Sequence, residues 1–356
     1  MNDREGFMFH THRLPRVLVF TSLIWLVCCL LLLTARLSAQ SQPASAQMLI
    51  WALRGETFNL YRYDTERRLF AQVVKTPPFR MISPPQLAAD GQHVIFEADR
   101  DGERALLLVD TRGRQLFESS RTAATRLPSW SPQGDRIVFW STDDGYWHFN
   151  VMTHIGSGER PVTSLTGLVP YSYPLWSPDG RRILFRVWVA EQGSSIFLVD
   201  IDTGETRTLT PLLSATGDLV WSPDSQRLAF RSERERNGEI HVLNVANGEQ
   251  INLTQHRATD FQPDWSPDGR QLVFVSNRQG SGELFIMSAD GSSPRQITNG
   301  GAWSPDWSPD GEQIAFVSRR DGDDALYLIN ADGSSLRHVM PLSPQTLFLG
   351  WFMPPG

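Results

Sequence analysis

The chain has 356 residues and a formal net charge of −6, and 40% of its residues are hydrophobic. This length is typical of a single large repeat array, and the absence of a basic stripe gives no support to nucleic-acid binding. Both cysteines, Cys28 and Cys29, lie in an N-terminal apolar run. The rest of the chain therefore has no disulfide framework and no cysteine-based metal site.

The N-terminal segment has the pattern of a membrane anchor. Residues 1–16 are polar and contain three arginines, and an uncharged apolar run follows from Val17 to Leu33. A membrane span needs about 17–25 apolar residues, whereas a signal-peptide core has about 7–15. The arginines before the run favour an N-terminus in the cytoplasm. We therefore predict a cytoplasmic N-terminus at 1–16 and a transmembrane anchor or uncleaved signal at 17–34.

Cleavage of this segment as a signal peptide, near Leu37-Ser38-Ala39, is the alternative. Both alternatives export the rest of the chain, so we expect a single-pass protein of the cell membrane whose main domain lies in the periplasm or at the cell exterior. Residues 35–47 are mostly small and polar and are predicted to form a flexible linker. A repeat domain is predicted from 48 to 356.

A tryptophan-led pentapeptide recurs along this domain. Trp265-Ser-Pro-Asp-Gly269 is repeated letter for letter at Trp176–Gly180 and Trp307–Gly311, and neighbouring copies begin 42 to 46 residues apart. Such a period indicates stacked supersecondary units. Proline, aspartate and glycine in this order are typical of a tight β-turn. We interpret the following as structural repeat residues: Trp130, Trp176, Trp221, Trp265, Trp307, Trp351, Asp179, Gly180, Asp268, Gly269, Asp310 and Gly311.

Each unit contains four short predicted strands. In the sixth unit these are 272–275, 284–287, 295–298 and a strand that ends at Trp307, and polar or glycine-rich turns separate them. Four strands in 40–45 residues predict an all-β fold, a β-propeller of four-stranded antiparallel blades. The chain begins with a second strand near Leu49 and ends with a first strand at Thr346–Trp351. We therefore predict that the C-terminal strand joins the N-terminal blade and closes a ring of seven blades, with six as the alternative.

The repeat also resembles a known family. The W-S-P-D-G corner, the I-x-F strand after it, and the S-x-R-x-G and L-F-I-M-x-A-D-G segments are similar to the WD40-like PD40 repeat of TolB-type propellers and of prolyl-oligopeptidase-type peptidases. The resemblance covers nearly all of 87–356 and, more weakly, 48–86. It implies a TolB-like propeller. We expect the protein not to be TolB itself, because its tether leads directly into the propeller and because we count seven blades where TolB has six.

The sequence predicts that the protein is not an enzyme and has no metal or other cofactor. It contains no G-x-S-x-G elbow, which the peptidase relatives require, and no H-E-x-x-H zinc motif. The histidines of the repeat domain are scattered rather than placed at ligand spacing. An alternative stays open, because a propeller hydrolase or lactonase can gather metal ligands or carboxylates from several blades around its central channel.

The variable loops offer a candidate binding surface. Loops between second and third strands, and connections between blades, lie on one face of a propeller and vary in this chain, whereas the other face carries the repeated turns. Aromatic residues with polar neighbours suit peptide or sugar recognition. Five aromatic residues of the third and fourth units are predicted to bind a ligand there: Tyr146, Trp147, Tyr171, Tyr173 and Trp188.

We therefore predict a membrane-tethered extracytoplasmic propeller that acts as a non-catalytic scaffold for a protein, peptide or glycan. One alternative is a propeller enzyme with a metal or carboxylate site in its channel. The other is a sensory or assembly component of a cell-envelope complex.

Overall fold

The computed structural model describes residues 46–54, 57–74, 80–81, 83–100, 103–119, 125–142, 146–165, 168–170, 172–189, 193–211, 215–233, 237–342 and 346–352. The predicted cytoplasmic segment, anchor and most of the linker lie outside these residues. Among the residues described, no helix has the length and apolar character needed to cross a membrane.

The described chain forms seven antiparallel sheets, which are the blades of a propeller. Blade 1 contains β1 (Gln47–Arg54), β2 (Thr57–Asp64), β3 (Leu69–Gln72) and the last strand of the chain. Blade 2 contains β4 (Arg80–Met81), β5 (Gln86–Leu87), β6 (His93–Arg100), β7 (Glu103–Asp110) and β8 (Gln115–Glu118). Blade 3 contains β9 (Arg126–Trp130), β10 (Arg136–Thr142), β11 (Trp147–Thr153) and β12 (Arg160–Leu165). In blade 2 the innermost strand is split into β4 and β5, which both pair with β6.

Blades 4 to 7 repeat this order, and blade 4 also has a split innermost strand. Their strands are β13 (Leu168–Pro170), β14 (Leu175–Trp176), β15 (Arg182–Val189), β16 (Gly193–Asp200) and β17 (Thr206–Pro211); β18 (Ala215–Trp221), β19 (Arg227–Ser232), β20 (Glu239–Asn244) and β21 (Gln250–Asn252); β22 (Asp260–Trp265), β23 (Gln271–Ser276), β24 (Glu283–Ser288) and β25 (Arg295–Gln296); β26 (Trp303–Trp307), β27 (Gln313–Ser318), β28 (Ala325–Asn330) and β29 (Arg337–Pro341).

The last strand, β30 (Thr346–Phe352), completes blade 1. The strand order of that blade is β3-β2-β1-β30, and Trp351 lies opposite Met48 in the register. The ring therefore closes as predicted, with one blade built from both ends of the domain. This count confirms seven blades and excludes the alternative of six.

The core lies between the blades. Seven buried hydrophobic clusters occur in the described residues, and each is shared by two neighbouring blades. Successive residues of a strand point to opposite faces, so Ile95 packs against blade 3 and Phe96 packs against blade 1. Because both faces of each sheet are covered, the second strands are continuous apolar runs rather than alternating ones.

The repeated pentapeptide forms the turn between the first and second strands of a blade. Ser266 donates a hydrogen bond to Asp268 Oδ1 (2.6 Å), and its hydroxyl accepts one from the amide of Gln271 (2.9 Å). Gly269 has φ of 67°, a region that favours glycine. The serine of this motif is buried, so these bonds satisfy polar groups that water does not reach.

The tryptophan of the motif joins neighbouring blades. In four of these residues the indole nitrogen donates to the backbone carbonyl of the residue that precedes the marker position in the previous blade. Four such bonds measure 3.1–3.3 Å: Trp130 to Gln86, Trp176 to Ser129, Trp221 to Leu175, and Trp351 to Asp306. These four link blades through both apolar packing and a hydrogen bond, whereas the buried indole nitrogens of Trp265 and Trp307 have no partner in the described residues and these two contribute packing.

Candidate functional site

The innermost strands of the blades surround the central channel, and a cavity of about 320 Å³ opens there between blades 5, 6, 7 and 1. It is formed by residues one to three positions before the marker tryptophans. The lining residues are Val220, Gln262, Pro263, Asp264, Ser304, Pro305, Asp306, Phe348, Leu349 and Gly350. Asp264 and Asp306 occupy the same position in neighbouring blades, so the repeat itself places two carboxyl groups side by side.

The Asp264 carboxyl group is held by backbone amides. Its Oδ1 accepts a hydrogen bond from Trp265 N (3.0 Å), and its Oδ2 accepts one from Trp307 N in the next blade (2.8 Å). Burial nevertheless raises the pKa of Asp264 to about 6, because the loss of hydration outweighs these two bonds. Asp264 therefore changes its charge close to neutral pH.

Asp306 is more strongly perturbed. Burial raises the pKa of its carboxyl group well above the usual range, and the negative charge of Asp264 raises it further. Both residues keep some contact with solvent through the channel, so their environment is a narrow space enclosed by protein rather than a dry core. Two crowded carboxyl groups of this kind share protons, and they can offer a proton donor and an acceptor at the same pH.

The backbone beside this pair is strained. Gln262 and Ser304 each have φ of 52°, and both lie two residues before the aspartate of their strand, where the pairing to the second strand is interrupted. The amide of Ser304 donates to Gln262 Oε1 across the blade boundary (2.8 Å). Positive φ in residues other than glycine is uncommon and often found at functional sites.

A second cavity, of about 240 Å³, lies between blades 4 and 5. It is lined by Ser172, Tyr173, Leu175, Leu184, Phe185, Arg186 and Leu219. Burial raises the pKa of the half-buried Tyr173 hydroxyl, the negative charge of Glu97 raises it further, and a hydrogen bond with Ser83 acts in the opposite direction. Tyr173 thus reaches toward blade 2, and its ring lies beside a mixed polar and apolar space.

The other predicted binding residues are dispersed. Tyr146 is 52% exposed, whereas Trp147 begins β11, packs against the core of blades 3 and 4 and carries the Arg126 guanidinium 4.4 Å from its ring centroid. Trp188 lies in β15 opposite Ser194. Tyr171 lies outside the described residues. Of the five, Tyr173 contributes to a cavity, and Trp147 has a packing role.

Sequence reasoning missed the aspartate pair. The recognisable motif begins at the tryptophan, whereas the channel is lined by the residues before it. Comparison of the position directly before each marker would have shown acidic residues at 264 and 306, where the other units have Gln86, Ser129, Leu175, Val220 and Gly350. Within the described chain, no group of three or more histidine, cysteine or acidic side chains is arranged to hold a metal ion.

Comparisons with known proteins agree with this architecture. Residues 147–304 match the family described as the TolB beta propeller domain, PD40. The uncharacterized peptidase YuxL of Bacillus subtilis is 32% identical over 195 residues, which cover 42% of this chain and 29% of the peptidase. The chain therefore spans less than a third of this relative.

Solved structures show the same fold. TolB from Acinetobacter baumannii aligns with a TM-score of 0.52 at 18% identity, over 90% of this chain and 85% of that chain. A puromycin hydrolase aligns with a TM-score of 0.64 at 14% identity, over 86% of this chain and 55% of that chain. At these identities the likeness concerns the fold.

The prediction that the protein is not an enzyme is wrong, because its relatives include a protein named as a peptidase and its structural neighbours include a puromycin hydrolase. The prediction rested on motifs written in consecutive residues. A propeller instead brings together residues from different blades, as the pairing of Asp264 with Asp306 illustrates. Residues 147–304 thus resemble the TolB beta propeller domain, PD40, and the described chain forms a seven-bladed propeller.

Proposed function

We propose that this protein is a membrane-tethered extracytoplasmic propeller that binds a basic segment of a peptide or protein at its central channel. The observation that carries the proposal is the Asp264–Asp306 pair in the wall of the channel cavity. Once either group is ionised, a lysine, arginine or N-terminal amine gains a charge-assisted hydrogen bond there. The apolar rings and methylene groups of Phe348, Pro263 and Pro305 line the same cavity and suit the aliphatic part of such a side chain.

The location is supported by the N-terminal sequence. The uncharged run Val17–Leu33 is long enough for a single span, and the arginines before it favour export of the propeller. A propeller held close to the membrane surface would meet other envelope proteins or their exposed segments.

Binding of immobilised hexapeptides by the full-length detergent-solubilised protein tests the proposal. At pH 8 we expect peptides with lysine or arginine to be retained in preference to acidic or neutral peptides. The double variant D264N/D306N should bind basic peptides with an affinity lower by at least about tenfold, since it removes both charges. The variant D323N changes an exposed aspartate outside the channel and should bind like wild type. Equal retention of basic and acidic peptides by wild type would contradict the proposal.

A second candidate function is acid–base catalysis at the same pair. It is favoured by the raised pKa of both carboxyl groups, because a carboxylic acid that keeps its proton near neutral pH can protonate a leaving group while a neighbouring carboxylate accepts a proton. A screen with peptide p-nitroanilides, nitrophenyl glycosides and lactones tests this candidate. Turnover should fall about 100-fold or more in D264N and in D306N. A turnover that both variants retain would exclude the pair as the catalytic groups.

A further inference from the structure

The outer strand of blade 1 has an unusual surface. All four residues of β3 are exposed, and its first two are large and apolar: Leu69 is 64% exposed and Phe70 is 39% exposed. The Phe70 ring packs on Tyr63 with a centroid distance of 4.7 Å. Because neighbouring residues of a strand project to opposite faces, Leu69 and Phe70 present apolar surface on both sides of this outer strand, at the rim of the blade.

Arginines adjoin this pair. Arg67 and Arg68 precede β3 in the turn from β2, and both are exposed. Arg337 of blade 7 donates to the Thr65 carbonyl of the same turn (3.4 Å), and its neighbour Leu336 is 46% exposed. We call the set of Arg67, Arg68, Leu69, Phe70, Leu336 and Arg337 the seam patch, because it lies where the ring closes.

Two carboxylates beside the patch make local hydrogen bonds. Asp64 accepts the amides of Glu66 and Arg67 and lies 4.0 Å from the Arg67 guanidinium, and Asp332 accepts the amide of Ser334. Glu66 is exposed. Arg67 and Arg68 are therefore exposed next to apolar side chains, whereas Arg337 is partly buried and donates to the Thr65 carbonyl.

The first described residue of the chain lies beside this patch. Ala46 is the first described residue, and its carbonyl accepts a hydrogen bond from the Thr65 hydroxyl in the turn that carries Arg67 and Arg68 (3.2 Å). Gln47 lies opposite Asp64, which lies opposite Leu69. Leu69 is thus two strands, or about 10 Å, from the point where the segment enters. The apolar run Val17–Leu33 and the short linker that follows it come directly before this point.

From this juxtaposition we infer that the seam patch rests on the lipid bilayer and orients the propeller on the membrane. This inference depends on the tether in the proposed function. Residues 35–47 span at most about 45 Å even when fully extended, so the patch stays near the membrane surface. Leucine and phenylalanine insert at the level of the lipid headgroups, and arginines extend from the same surface to lipid phosphates. The channel opening is thereby held in a defined direction.

Fluorescence quenching in vesicles tests this inference. The full chain with C28S and C29S receives a bimane label at L69C and is reconstituted in phosphatidylcholine with a quarter phosphatidylglycerol, with or without nitroxide-labelled lipid. The matched control carries the label at I251C, which replaces an exposed isoleucine on the outer strand of blade 5. We expect nitroxide lipid to reduce the emission at position 69 about twofold and to leave position 251 unchanged. The added substitutions R67Q and R68Q should weaken the quenching at position 69.

Vesicle flotation separates the two proposals. If the protein floats with the vesicles but position 69 is quenched no more than position 251, the tether stands and the inference about the patch is overturned. If the protein does not float, the tether fails, and the membrane contact of the patch fails with it.

Discussion

The indole nitrogen of Trp351 donates a hydrogen bond of 3.1 Å to the backbone carbonyl of Asp306. This bond crosses from the C-terminal strand of blade 1 to blade 7, so it closes the ring at the same residue whose side chain lines the channel. Ring closure and the candidate site thus both involve Asp306. A substitution that disrupts the closing contact should therefore also disturb the geometry of the site.

Replacement of Trp351 should show how much this hydrogen bond contributes to the free energy of unfolding. W351F keeps an aromatic ring but leaves the Asp306 carbonyl without its donor, and we expect a loss of about 1 kcal/mol in unfolding free energy. The control is W265F, because the buried Trp265 indole nitrogen has no hydrogen-bond partner in the described structure. W265F should therefore cost less than W351F in calorimetric or urea unfolding. Equal losses would mean that ring size rather than the bond determines the effect.

The aspartate pair predicts how stability changes with pH. Because folding raises the pKa of both groups, the folded state retains protons that the unfolded state releases above about pH 4. The resulting stabilisation is present at low pH and is lost as pH rises through about 6 and above. D306N removes a carboxyl group whose charged form is disfavoured by burial and by the charge of Asp264, so its melting temperature should exceed that of wild type by roughly 2–4 °C at pH 8.

The difference between D306N and wild type should disappear near pH 4. D323N serves as the control, since Asp323 is exposed, and it should show no such pH-dependent gain. A melting temperature of D306N below wild type at pH 8 would show that Asp306 is stabilising as a charged group.

Glu283 should be important for the connection between blades 6 and 7. Its buried carboxylate accepts hydrogen bonds from Gly300 N, Gly301 N (both 2.8 Å) and the Thr298 hydroxyl (2.7 Å). E283A leaves these donors without their acceptor and should cost about 2–4 kcal/mol in chemical unfolding. E312A, at an exposed glutamate, should stay within about 0.5 kcal/mol of wild type. A loss in E283A as small as that in E312A would contradict this role.

Two glycines in equivalent turns differ in how closely the neighbouring blade approaches them, so alanine substitutions there compare the cost of a steric clash with that of backbone strain. Gly204 and Gly248 have φ of 72° and 74°, but an added Cβ at Gly204 would lie 2.6 Å from the Val162 carbonyl oxygen, whereas one at Gly248 would meet nothing within 4 Å. G248A should cost about 1 kcal/mol from the backbone alone. G204A should cost clearly more, as measured by urea unfolding, because the backbone of blade 3 must move. Equal costs would show that blades 3 and 4 adjust freely.

The repeat made the fold predictable. The pentapeptide specifies a turn through local hydrogen bonds, as in Ser266 and Asp268, and its spacing counts the blades. The order of strands at both ends predicted that the strand at Thr346–Trp351 joins the blade that begins near Leu49, and β30 does pair with β1. These features depend on neighbours in sequence or on simple periodicity, which a sequence displays directly.

The candidate site was less predictable because it depends on contacts across blades. Asp264 and Asp306 gain their raised pKa values from the enclosed channel and from each other, and neither effect is visible in one repeat. Trp147 was predicted to bind a ligand, but its neighbours in blades 3 and 4 bury much of it. Whether an aromatic residue near a loop is free or packed is decided by the adjacent blade.

The position of β1 between β2 and β30 has a mechanical consequence. Any pull on the chain before Ala46 acts on a strand that pairs with β2 over eight residues and with β30 over six. Tension along β1 must then shear two ladders together, which requires many hydrogen bonds to break at once rather than one after another. A force applied to the chain before β1 is therefore carried by the seam, where both ends of the domain pair, rather than by any other single blade.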